Sequence, residues 1–321
     1  MRLKIILLGI FGLPVATLAT ASAQNDTELV QVHSKLGITE EFSVLKTDKT
    51  VRQGSHVKYR LVVGPRNLIA LLETGNYERG HKEGEWRTFV MSPYNKLSSK
   101  GSYHVGLPEG KWFYYHEPKP EVLGKAVLAG KNSETSLTID PEDSTAVVQA
   151  KGMCSQGKKV GLWKYYDSNA KLVQAINEST NQLMYWEQPS SQPASGEVVS
   201  INHPLLYVGG KDQLLHDLYN SIDGRSLLQS DEDFLAAGQT VNTQLIISVD
   251  SLGTQIKIAL AGNKMPSKYE QLLLTQLGRK ETRWLPKIEH GKTLAADYRL
   301  LIVTQKFADN RIKLAITSFG E

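Results

Sequence analysis

Ser155 and Lys158 stand three residues apart, the Ser-x-x-Lys spacing in which a lysine amine can activate a serine nucleophile. The pair flanks Gly157 in a glycine-rich turn and lacks the companion motifs of that chemistry, so it is not expected to act. The lone Cys154 is the other candidate nucleophile, and thiol reactivity needs a thiolate held in electropositive, partly open surroundings. His56, His81, His104 and His116 fall in the same half of the chain. None has a second histidine at i+2 or i+4 and none is joined by acidic residues at ligand spacing, so a closed metal site is not expected. His-Glu-x-x-His, Gly-x-Ser-x-Gly, a phosphate loop and Gly-x-Gly-x-x-Gly are all missing from the sequence. The expectation is a binding protein with no catalytic residues, cofactor or metal. An envelope hydrolase whose site is assembled from distant residues is the remaining enzymatic alternative.

The 321 residues, 40% hydrophobic and 22% charged, suffice for one large or two ordinary globular domains. Arg2 and Lys4 precede the apolar run Ile5 to Leu18, and Ala21-Ser22-Ala23 follows, which reads as a signal peptide cut after Ala23. Gly9, Gly12 and Pro14 make that run a poor membrane anchor. The 37 Lys and Arg against 33 Asp and Glu give +4, and loss of Arg2 and Lys4 leaves +2, too little to argue for nucleic acid. With one cysteine no intramolecular disulfide forms, and in an exported chain Cys154 is expected to be buried and inert.

Three copies of one pattern organise the first half. They are Gly75-x-Tyr77-x-x-Gly80-x-x-x-Gly84-x-Trp86, Gly101-x-Tyr103-x-x-Gly106-x-x-x-Gly110-x-Trp112 and Gly152-x-Cys154-x-x-Gly157-x-x-x-Gly161-x-Trp163, each followed by an aromatic residue three positions on. Trp86 and Trp112 are 26 residues apart and Trp112 and Trp163 51, with a polar insertion from roughly Asn132 to Ser144. A degenerate fourth copy, Gly54-x-His56-x-x-Tyr59, precedes them with histidine in the tryptophan slot. Each copy reads as strand, glycine-rich turn and aromatic-bearing strand, and consecutive hairpins should chain into an antiparallel meander. Gly75, Tyr77, Gly84, Trp86, Gly101, Tyr103, Gly110, Trp112, Gly152, Cys154, Gly161 and Trp163 are therefore expected to be structural, the tryptophans as core and not as sugar platforms.

This array, from about residue 40 to 176, resembles the MORN-variant repeats of exported bacterial proteins, a family often labelled as an antitoxin component. The opening Glu40-Glu41-Phe42-x-Val44-Leu45 is similar to how such arrays begin. The resemblance implies a β-hairpin array and says little about activity.

From Gln188 to Gly196 the chain turns to Pro, Ser and Gln, a linker composition. Beyond it, Lys211 to Ile222 has helical apolar spacing, Val241 to Val249 and Gln255 to Leu260 form a hairpin about Asp250-Ser251-Leu252-Gly253, and Tyr269 to Leu277 is a second helix. Tyr298 to Thr304 is an apolar strand and Arg311 to Phe319 a further one. The fold class expected is mainly β plus α+β: a hairpin-repeat meander at 24–186 after a signal peptide at 1–23, a linker at 187–202 and a small α+β domain at 203–321.

The last domain, over about 203 to 307, resembles the C-terminal domain of TonB and its relatives. Tyr207-Val208-Gly209-Gly210, Val249-Asp250-Ser251-x-Gly253, Trp284-Leu285-Pro286 and Gly291-Lys292 carry the likeness. It implies that the strand after Trp284-Leu285-Pro286 is an edge that adds a receptor peptide by β-augmentation. The candidate partner-binding residues are Tyr298, Arg299, Leu300, Leu301, Ile302, Val303 and Thr304. Leu235-Ala236-Ala237-Gly238 stands where the family has a Tyr-Pro element, and Arg311 to Phe319 is placed to pair with that edge. The expected protein is an exported, periplasmic or secreted scaffold with a protein partner in the cell envelope. The alternative is a TonB-like transport component docking on an outer-membrane receptor.

Overall fold

The structure is a computed structural model that describes residues 26–35, 37–62, 68–90, 96–117, 146–187, 202–222, 238–262, 265–278, 282–307 and 312–320. The segment expected to be a signal peptide, the polar insertion and the stretch expected to be a linker lie outside the described residues. Eleven antiparallel strands follow one another in sequence order in a single sheet: β1 Thr27–His33, β2 Ile38–Leu45, β3 Arg52–Val62, β4 Leu68–Glu78, β5 His81–Phe89, β6 Leu97–His104, β7 Leu107–Tyr115, β8 Val148–Ser155, β9 Lys158–Tyr166, β10 Leu172–Asn177 and β11 Gln182–Trp186. A smaller α+β part follows. The chain divides into two compact units, 1–163 with 168–170 and 178–180, and 164–167 with 171–177 and 181–321.

In the first unit the repeat spacing has a local cause. Arg79-Gly80, Val105-Gly106 and Gln156-Gly157 each turn the chain with both central residues at positive φ, 49° at the first of each pair and 78–85° at the glycine. Two such residues are what a two-residue hairpin of type I′ needs. Four positions on, Gly84, Gly110 and Gly161 again have positive φ (68°, 73° and 61°). At Gly84 and Gly110 the ladder register shifts, and the bulge lets the following tryptophan return over the sheet.

Consecutive hairpins are also stitched at their turns. The Gly80, Gly106 and Gly157 N–H groups donate to the carbonyls of Arg52, Lys82 and Pro108 on the preceding hairpin. The Arg79, Val105 and Gln156 N–H groups donate to the side chains of Gln53, Glu83 and Glu109, at 2.8–2.9 Å. These are turn donors that would otherwise face solvent, and each one fixes its hairpin to its neighbour.

Across the sheet, cross-strand pairing aligns Val30, Phe42, His56, Gly75 and, through β5 to β8, Trp86, Gly101, Trp112 and Gly152. Tryptophan alternates with glycine because the ring lies flat on the strand before it. A Cβ at Gly75 would stand 2.2 Å from Trp86 Cδ2, one at Gly101 2.2 Å from Trp112 Cδ2, and one at Gly152 2.4 Å from Trp163 Cδ2. The three rings are 2%, 5% and 0% exposed. Each indole N–H donates to a backbone carbonyl ten residues earlier, of Asn76, Ser102 and Met153. Tyr77 and Tyr103 meet the rings edge-on with centroids 5.1–6.0 Å apart. Val57, Tyr59, Ile69, Leu71, Phe89 and Leu97 form a second buried cluster in this unit.

The second unit holds β10 and β11, then β12 Leu206–Tyr207, α1 Gly210–Ser221, β13 Thr240–Val249, β14 Gln255–Leu260, α2 Lys268–Gly278, β15 Trp284–Leu285, β16 Lys287–Glu289, β17 Lys292–Leu294, β18 Ala296–Lys306 and β19 Ile312–Gly320. A four-stranded antiparallel sheet runs in the order β14-β13-β18-β19. Its buried face carries Leu245, Ile247, Val249, Leu300, Ile302 and Ile316, packed with Leu214 and Leu218 of α1 and Leu273 and Leu277 of α2. Trp284 joins this core edge-on to Tyr207, while β12 pairs with β15. The predicted helices and strands of this part stand within a few residues of the expected bounds.

Candidate functional site

The strand proposed from sequence as a docking edge is not an edge. β18 pairs with β13 along Thr240–Val249 on one side and with β19 along Ile312–Gly320 on the other. Arg299, Leu300, Leu301, Ile302, Val303 and Thr304 have partners in both strands, and Tyr298 pairs with Ile247 of β13. Pairing of Ile312–Gly320 with β18 removes the free N–H and C=O row that β-augmentation requires. The edges of this sheet are β14 and β19.

The side chains of β18 divide between the two faces. Leu300, Ile302 and Thr304 are buried, and Thr304 hydrogen-bonds the hydroxyl of buried Tyr269, whose own ionisation burial pushes up. Arg299, Leu301 and Val303 lie on the opposite face, beside Ile246 and Gln244 of β13. There a shallow groove of about 450 Å³ is lined by Gln244, Ile246, Ala261, Gly262 and Arg299.

The tryptophans, glycines and tyrosines of the repeat signature are built into the sheet as described above. Gly110 pairs with Cys154 where Gly84 pairs with Tyr103, so the cysteine occupies the tyrosine slot. It is buried and free, and burial raises its pKa, which keeps the thiol protonated. The adjacent Tyr114 is likewise pushed up to about 12 by burial first and then by Cys154 and Tyr103. Ser155 and Lys158 end β8 and begin β9 with Gln156-Gly157 between them.

His56 is the least conventional member of the row. It is 3% exposed, and neither ring nitrogen has a hydrogen-bond partner. Its ring lies 5.2 Å from Trp86 and edge-on to Tyr77 at 5.4 Å. Glu40 comes within 3.7 Å of Nδ1 but is engaged by Arg52 at 2.8 Å. Burial lowers the His56 pKa, with Glu73 and Glu40 opposing that shift and Arg52 and Lys82 adding to it. A tryptophan does not fit this slot in the same way: its cross-strand neighbour in β2 is Phe42, where later copies have glycine.

Over two of the rings lies a cation. Lys82 Nζ is 3.9 Å from the Trp86 centroid and Lys159 Nζ 4.2 Å from that of Trp163, and Pro108 replaces this lysine in the middle copy. Lys82 also pairs with Glu73. The opposite face of the sheet carries a different row, Arg87, Lys100, Phe113 and Lys151, each cross-strand to the next, with Lys111 opposite Met153 beside it. Glu85 binds Arg87 and Lys100, and Met153 is exposed.

Two sets of residues escaped the sequence reading. Gln53, Glu83 and Glu109 hold the turns, and their signal was available as an amide or acid directly before each bulge glycine. Gln174 on β10 is buried and bonds the backbone at both ends of a tripeptide, donating to the Tyr207 carbonyl at 2.9 Å and accepting from the Gly209 N–H at 2.8 Å. Nothing local to Gln174 announces this role. Among the described residues no three His, Cys, Asp or Glu converge as a metal site, and no helix is long and apolar enough to cross a membrane. Comparison of the chain with known protein families, with curated proteins and with solved structures finds no match.

Proposed function

We propose that this chain is an exported, non-enzymatic scaffold of the bacterial cell envelope that binds a protein partner. The observation that carries the reading is the face of the long sheet opposite the tryptophans. Arg87, Lys100 and Lys151 are aligned about Phe113, and Lys111 stands beside exposed Met153. A cationic, partly apolar surface of this kind suits an acidic protein surface with an apolar centre. The groups with latent chemistry, Cys154 and His56, are meanwhile buried in the sheet. The likeness of the array to MORN-variant repeats and of the second unit to the TonB C-terminal domain supports an interaction role, and the residues before Gln24 support export. Energy transduction through Tyr298 to Thr304 is not part of this reading.

The test is site-specific photo-crosslinking in envelopes of the source cell, with the reactive side chain at Met153 and, as a buried control, at Ala150. A discrete envelope protein is expected to crosslink at 153 and not at 150. Reversal of charge by Lys100→Glu with Lys151→Glu is expected to abolish the adduct. Equal labelling from both positions, or turnover of envelope glycans or esters by the purified chain, would overturn the proposal.

A further inference from the structure

The long sheet ends at β1, and the outer side of that strand has no partner among the described residues. Open edges are ordinarily blunted by proline, lysine or a bulge. Thr27-Glu28-Leu29-Val30-Gln31-Val32-His33 contains no proline and no lysine, and its seven residues pair one-to-one with β2 without a register shift. Leu29 and Val32 are 65% and 49% exposed. Its one charged side chain is Glu28, and with Leu29 and Val32 exposed on its two faces the edge is open to a further strand.

The hydrogen-bond parity of this edge says which of its residues an added strand must meet. Asp26 accepts from the Lys46 N–H, and the Ser34 N–H donates to Ile38, both across to the β2 side. The register between them is unbroken, so Glu28, Val30 and Val32 also bond inward, because antiparallel ladders alternate. The N–H and C=O groups of Thr27, Leu29, Gln31 and His33 therefore face outward. A strand that satisfies all four must present outward groups at the same alternation.

The same strand of a second copy does so. We propose that the protein forms a two-fold dimer by antiparallel pairing of β1 with β1 of a second copy, with the axis at Val30. In that register Thr27 opposes His33, Leu29 opposes Gln31, and Glu28 opposes Val32 of the other chain. Every outward group of both strands is then used, about eight hydrogen bonds in all. Val30 faces its own mate as a non-hydrogen-bonded pair, the closer of the two pair types, and this carries the row Val30, Phe42, His56 across the axis. The two Leu29 side chains become diagonal neighbours on the other face. No like charges meet: Glu28 and its mate are separated by four strand positions, and Glu28 is already paired with Lys49 at 2.9 Å. A two-fold contact must be self-complementary in this manner.

Seven residues on each side bury less than the roughly 1,200 Å² of a permanent interface, so the dimer is a concentration-dependent one. Sedimentation velocity of the purified protein from roughly 10 µM to 1 mM spans the range where such contacts titrate. The expected result is a weight-average mass rising toward twice that of the monomer. Leu29→Pro removes only an outward donor and places a ring against the incoming strand, and it is expected to keep the protein monomeric with an unchanged far-UV spectrum. Val30→Cys is expected to form a disulfide-linked dimer on mild oxidation, while Glu28→Cys, displaced from its mate, is not. A monomer at every concentration, association that survives Leu29→Pro, or equal crosslinking at positions 28 and 30 would overturn the proposal. Should Leu29→Pro disturb the fold, the contrast between the two cysteine variants still decides it.

Discussion

Gly101→Ala is the sharpest perturbation of the array, because one methyl group tests the reason for the repeat. Gly101 has ordinary extended backbone, so alanine there brings no strain and by itself stabilises by about 0.4–1 kcal/mol through the unfolded chain. Its Cβ, however, would lie 2.2 Å from Cδ2 and 2.4 Å from Cε2 of Trp112, against the roughly 3.5–4.0 Å of a normal carbon contact. The ring must retreat by more than an ångström while its N–H is tied to Ser102. Overpacking of this kind costs about 1–3 kcal/mol. Full expulsion of the indole would forfeit burial worth at most about 4–6 kcal/mol at roughly 25 cal/mol/Å². With the unfolded-state gain subtracted, the expected net loss is about 1–2.5 kcal/mol, read from urea unfolding followed by far-UV circular dichroism. Gly84→Ala is the control: nothing lies within 4 Å of its Cβ, and only its positive φ of 68° is at stake, about 1–2 kcal/mol. Trp112→Leu should cost less in the Gly101→Ala background than alone, because the clash is already relieved. Gly101→Ala within about 0.5 kcal/mol of wild type would refute the stacking argument.

His56→Phe is expected to remove part of the array's acid sensitivity. Burial holds the folded pKa of His56 below its ordinary value, so above about pH 6.5 both states are neutral, and below it the unfolded chain gains the proton first. Stability contributed by the neutral ring is thus complete above pH 6.5 and lost as the pH falls, and the Tm difference between pH 7.5 and 5 should shrink in the variant. An undiminished difference would place the sensitivity elsewhere. Val105→Asn should stabilise by about 1 kcal/mol, since a β-branched residue at φ 49° in a turn is strained and asparagine tolerates it. A lowered Tm would show that Val105 is not strained in this turn. Leu301→Pro should collapse protection from hydrogen exchange across β13, β18 and β19, because the substitution falls in a strand paired on both sides. Retained protection in β19 would mean that the strand is not held where the pairing places it.

The legibility of the chain follows from which contacts are local in sequence. Tryptophan and glycine recur in register because each ring rests on the glycine eleven residues before it, and that pairing is written within one hairpin. The same rule explains the degenerate copy, but only once β2 is in place: the residue opposite His56 is Phe42, and its identity in a separate element decides that the slot takes an imidazole. In the second unit, alternation along β18 announces two faces, Leu300, Ile302 and Thr304 against Arg299, Leu301 and Val303, and the buried set agrees. Alternation carries no information about neighbours on either side. An edge strand and a central strand buried on one face read alike, and only the pairing of Ile312–Gly320 separates them. Gln174 is hidden for the same reason, since its partners at Tyr207 and Gly209 are more than thirty residues away. What a side chain does within its own hairpin can be read from the sequence, whereas what closes an edge depends on segments whose approach no local pattern encodes. The β1 edge is informative for that reason: its outward groups are fixed by its pairing with β2 alone, so the residues that an added strand must meet can be named before the strand is known.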